Sequence, residues 1–68
     1  MITNYGDQVR VRRAGNPLEV DDVIVEQLLE GEWTKVLAYN SLSSDTAYTD
    51  ARGFAQRLQK RLPAANPS

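Results

Sequence analysis

A single segment, from Ala51 to Leu62, spaces its apolar side chains as an unambiguous helix, and one helix covers only one face of a sheet. Ala51, Phe54, Ala55, Leu58 and Leu62 mark the apolar side, while Arg52, Arg57, Lys60 and Arg61 lie off it. Thr49 is the expected N-cap, with Asp50 in the first turn and basic residues toward the C-terminal end, both suited to the helix dipole. Ser44 or Asp45 would take the cap if the helix starts earlier. Pro63 ends the helix, so residues 1–62 form one small domain and 63–68 a flexible tail.

The rest of the chain reads as strands. In "QVRVRR" Val9 and Val11 alternate with Arg10 and Arg12, the period of a half-buried strand. The preceding "MITNYGD" reads as a short lead-in, and "AGNP" breaks the pattern with turn residues. Residues 17–30 fit two descriptions. As a helix they have Asn16 as N-cap, Pro17 at the first position and Val20, Val23, Ile24 and Leu28 at helical spacing. As a strand they have the β-branched block Val23-Ile24-Val25 and a turn at Glu30-Gly31 leading into "WTKVLAY".

Register favours the strand. A two-residue loop at Glu30-Gly31 sets Leu29 opposite Glu32, Leu28 opposite Trp33 and Glu26 opposite Lys35. Continued, it sets Val25 opposite Val36, Ile24 opposite Leu37, Val23 opposite Ala38 and Asp22 opposite Tyr39. Apolar pairs and one opposite-charge pair then meet, as cross-strand energetics prefer. The loop is the weak point, because Glu-Gly suits a type I′ turn less well than Asn-Gly. The expected fold is therefore α+β: a three-stranded antiparallel sheet (βββα) with the C-terminal helix on one face. The alternative is βαβα, with 17–30 helical. The plan resembles, in architecture alone, that of small accessory proteins of bacteria and phages.

Composition narrows the function classes. The chain has 68 residues, no Cys and no His, which removes disulfides, thiolate metal sites and the commonest metal ligand and general acid/base. A core this small gives only about 3–5 kcal/mol of net stability. No nucleophile motif, acidic metal loop or phosphate cradle is present, so no enzyme, metal or cofactor is expected. The net charge of −1 lacks the strong basic bias of a nucleic-acid module. No apolar run reaches membrane-spanning length, and a cytoplasmic location is expected.

The expected register puts Val23, Val25, Val36 and Ala38 toward the helix. Ile24, Leu28, Trp33, Leu37 and Tyr39 then share the opposite face with Arg10 and Arg12. With no second helix to cover them, these seven residues are the expected protein-interaction surface. The function that follows is a non-enzymatic protein-binding module, a regulator, inhibitor or assembly component. Its expected partner is another protein or itself, with a symmetric homodimer the cheapest closure because the patch then meets its own copy. The alternative is a nucleic-acid-associated regulator using Arg10, Arg12, Arg13, Arg57, Lys60 and Arg61.

Overall fold

The β-branched block settles into a strand because its side chains alternate between a helix-covered face and an outer one. The computed structural model describes residues 2–15 and 21–62. In chain order they form β1 (Ile2–Asn4), β2 (Val9–Arg13), β3 (Val23–Leu29), β4 (Glu32–Tyr39) and α1 (Ala47–Arg61). All neighbouring strands are antiparallel, in the order β1-β2-β3-β4. Val23–Leu29 is extended, which overturns the helical alternative over the described part of 17–30. Asn16, Pro17 and Val20, and the tail 63–68, lie outside the described residues.

The sheet has four strands where three were expected. The lead-in folds back as β1, pairing Ile2 with Arg12, Thr3 with Val11 and Asn4 with Arg10. Three residues are too few to display an alternation, so the strand escapes a periodicity reading. Its turn depends on Gly6, whose φ of +80° lies in the left-handed region, and Tyr5 N–H closes the loop on Val9 O at 2.8 Å.

The core is the stack of Val9 and Val11 on Val23 and Val25, met from α1 by Ala51 and Ala55. Each buried valine contributes about 1.5–3 kcal/mol relative to exposure. Ala47, Ala51 and Ala55 recur every four residues, so the buried stripe of the helix is made of its smallest side chains. Tyr5, Leu37, Tyr39, Tyr48, Phe54, Leu58 and Leu62 close the margins. The helix begins at Ala47, and its cap lies three residues before the expected Thr49. Thr46 takes that place with no side-chain cap bond, and its hydroxyl donates instead to Asp50 Oδ2 at 3.0 Å. Leu62 ends the helix in an extended conformation (ψ 145°), as a residue preceding proline prefers.

The β3–β4 hairpin agrees with the expected register near its turn and departs from it further on. Leu29 faces Glu32, Leu28 faces Trp33 and Glu26 faces Lys35. Between Val25 and Glu26 the pairing shifts, so that Val25 faces Leu37, Ile24 faces Ala38 and Val23 faces Tyr39. Val36 is the extra residue of this bulge and is 38% exposed. An inserted residue reverses which side chains point inward. Leu37 and Tyr39 therefore turn to the helix side, correcting their expected place on the outer face, and Val36 leaves the core.

Both turn residues of this hairpin have positive φ, 51° at Glu30 and 82° at Gly31, the signature of a type I′ turn. A side chain with a Cβ is strained at the first position. Replacing Glu30 with Asn should relieve up to about 1 kcal/mol, read as a higher urea midpoint with an unchanged denaturant slope.

Candidate functional site: the outer sheet face

Strand alternation places Arg10 and Arg12 of β2 on the face away from α1, beside Ile24, Glu26 and Leu28 of β3 and Trp33 and Lys35 of β4. Among the described residues no helix covers this face, yet Glu26 is only 6% exposed and Ile24 only 3%. The cover comes from the face's own long side chains. Arg10 Nε donates to Glu26 Oε1 at 2.7 Å, and Arg12 Nε lies 3.1 Å from Oε2. The Arg10 guanidinium lies over the Trp33 ring, 4.2 Å from its centre. Long polar side chains laid flat in this way cover apolar surface with their stems while their charged ends stay near water.

Two opposing effects act on the Glu26 carboxyl. Burial pushes its pKa up, and hydrogen bonds from Arg10 and then Arg12, with the charges of both, outweigh burial and hold it below its ordinary value. The carboxylate is thus ionised in a nearly buried place because two guanidiniums are fixed on it. The side chains of Arg10 and Arg12 remain 22% and 26% exposed.

Of the seven residues expected at a protein-binding surface, Arg10, Arg12, Leu28 and Trp33 come together here. Ile24 shares the face but is buried beneath its neighbours. Leu37 and Tyr39 pack against the valine core instead. Sequence reasoning paired Glu26 with Lys35 and overlooked its role in holding the arginines. The signal was the valines: aligning Val11 with Val25 sets Arg10 opposite Glu26.

The six cations of the nucleic-acid alternative do not form one surface. Arg10 and Arg12 lie on the outer face. Arg57, Lys60 and Arg61 are exposed on α1, in the opposite layer. Arg13 sits at the end of β2, 5.8 Å from the centre of the Tyr48 ring and 3.8 Å from Asp22 Oδ2.

Asp22 anchors the loop that follows β4. Its Oδ1 accepts the Ser41 N–H at 2.8 Å, and its Oδ2 accepts the Ser41 hydroxyl. The Ser41 hydroxyl and then its amide hold the Asp22 carboxyl below its ordinary range. Asn40 Oδ1 accepts the Leu42 N–H at 2.8 Å, fixing a turn in which Leu42 is 95% exposed. The hydroxyl-rich run after β4 is thus a bonded turn leading into the helix.

Among the described residues no group of three or more His, Cys, Asp or Glu is placed to hold a metal ion, and no helix is long and apolar enough to cross a membrane. No family model matches the chain, and neither a curated protein nor a solved structure does.

Lowered carboxyl pKa values set the sign of the acid response. Glu26 and Asp22 bind protons less tightly folded than unfolded. Their contribution is complete above the ordinary values of 4.5 and 3.8 and is lost as pH falls through the lower folded values. Urea midpoints should therefore decline below about pH 4.5. Glu26→Gln should cost about 1.5–3 kcal/mol at neutral pH and flatten the upper part of that decline.

Proposed function

We propose that the chain is a non-enzymatic, cytoplasmic protein-binding module, a regulator, inhibitor or assembly component that works by occupying a partner's surface. The observation that carries this reading is the stack of Arg10 on Trp33, pinned from below by Glu26. Arg and Trp are the residue types most enriched where binding energy concentrates. Here both belong to a sheet and one is already held by a buried ion pair, so docking loses less side-chain freedom than it would at a loose surface. Arg12 and Leu28 extend the same surface.

The charge on this face favours a different protein over a second copy. A two-fold contact between identical faces would bring Arg10, Arg12 and Lys35 of one copy close to the same three cations of the other. Like charges about 4 Å apart repel by roughly 1 kcal/mol in water and about 4 kcal/mol at intermediate dielectric. The free chain is accordingly expected to run near its monomer mass of 7.6 kDa.

Trp33→Ala tests the surface directly. It removes the ring under Arg10 but leaves the valine core, so the fold should persist by circular dichroism. Capture of a stoichiometric partner from host extract by the tagged chain should fall at least about tenfold, as loss of an interface anchor of 1.4 kcal/mol or more requires. An unchanged captured set would remove this face from the proposal.

A further inference from the structure

We propose that α1 carries an anion site on its solvent side, an open depression over Gly53 in which Arg52 and Arg57 hold a terminal phosphate group. The site lies in the layer opposite the outer sheet face and is independent of that surface.

Shape comes first. The depression has a volume of about 240 Å³ and is lined by Thr49, Arg52, Gly53 and Gln56. It exists because residue 53 has no side chain. A helical side chain leans over the turn that precedes it. Arg57 accordingly reaches back until its Nη1 is 3.2 Å from where a Cβ on Gly53 would stand. Glycine is a poor residue for a helix interior, and here it leaves room between two guanidiniums. Pockets that enclose a drug-sized molecule begin at about 300 Å³. This smaller, open space suits one functional group of a ligand.

Charge comes second. Beyond Asp50 the helix carries Arg52, Arg57, Lys60 and Arg61 and no acidic residue. Each arginine of β2 has a carboxylate oxygen within 3.8 Å. Among the described residues no carboxylate pairs with Arg52 or Arg57. Asp50 is the acid nearest to Gly53 along the helix. Its Oδ2 accepts the Thr46 hydroxyl at 3.0 Å, toward the helix start and away from the depression.

One of the two arginines is already positioned. Arg52 Nε donates to the Tyr5 hydroxyl at 3.0 Å, and the guanidinium lies 5.8 Å from the centre of the Tyr48 ring. Nε holds one of the five guanidinium N–H groups. The donors on the two terminal nitrogens have no hydrogen-bond partner among the described residues. A terminal phosphate brings a charge of about −1.5 to −2 and three acceptor oxygens, which two guanidiniums match. A carboxylate brings one charge and two oxygens. The Thr49 hydroxyl and the Gln56 carboxamide are further donors at the same place.

Amide-detected NMR of the isotope-labelled chain tests the site. The probes are inorganic phosphate, acetate, an end-capped alanine peptide with one phosphoserine, and oligo-dT, each titrated at neutral pH and constant ionic strength. Phosphate and the phosphopeptide should shift the amides of Thr49, Gly53 and Gln56 saturably and leave the Trp33 indole N–H in place. Acetate should bind at least about fivefold more weakly, and Arg57→Gln should weaken phosphate binding about two- to fivefold, the range of one exposed ion pair. Tyr5→Phe releases Arg52 without removing its charge and should weaken binding similarly. Gly53→Ala should raise the urea midpoint, since alanine suits a helix interior, while weakening phosphate binding. Tighter binding of the phosphopeptide than of free phosphate assigns the group to a phosphorylated protein; equal affinity assigns it to a small phosphate ester. Unmoved α1 amides, acetate binding as tightly as phosphate, or tighter binding of oligo-dT than of the phosphopeptide would each overturn the inference. So would affinity indifferent to both Arg57→Gln and Tyr5→Phe. Phosphate shifts at α1 together with partner capture unchanged by Trp33→Ala would keep this site and remove the outer face; the reverse pair of results would remove this site alone.

Discussion

The Glu26 carboxylate, clasped by Arg10 and Arg12 on the face without a helix, is the interaction on which the rest of this domain depends. A sheet needs cover on both sides or one side that tolerates water. Here α1 covers the valine side, and the other side is covered by two arginine stems and a tryptophan ring. Ile24 is consequently buried with no second layer of secondary structure over it among the described residues. The pairing of both arginines in the outer layer is tied to the ionised state of one carboxyl.

The bulge after Glu26 allows one hairpin to serve both layers. On the turn side of the bulge, Leu28, Trp33, Glu26 and Lys35 keep the outer face supplied. Beyond it, the inserted Val36 turns Leu37 and Tyr39 inward to enlarge a core otherwise made of valine and alanine. A core of such small side chains would be thin without them. The bulge also blunts β4, one of the two edges of the sheet, and Lys35 beside it adds a charge; both devices discourage edge-to-edge pairing there.

Much of the architecture was legible in local pattern. Val9 and Val11 alternating with arginines announced β2, the Ala51-to-Leu62 spacing announced α1, and the Glu30-Gly31 turn placed the hairpin in register as far as Glu26. Three features were not legible. β1 is too short for a period to appear. The Thr46 cap competes with several equally suitable hydroxyls and carboxylates between Ser41 and Asp50. The bulge has no sequence mark, because Val36 suits a regular strand as well as an irregular one. That one omission sent Leu37 and Tyr39 to the wrong face, and with them two of the seven candidate contact residues.

The amino-acid sequence by itself determined the C-terminal helix, the alternation of β2 and the lack of His and Cys, the residues of the commonest metal and acid-base chemistry. Those properties follow from residue type and short-range spacing. Only the tertiary structure decided how the second side is closed. The Arg10–Glu26–Arg12 clasp forms between strands about fifteen residues apart in the chain, and its register is set by packing Val11 on Val25 under α1 rather than by anything local to the charges. An arginine's neighbours across a sheet are fixed by where the core puts the strand, and the candidate surface came into being only when the valines were buried.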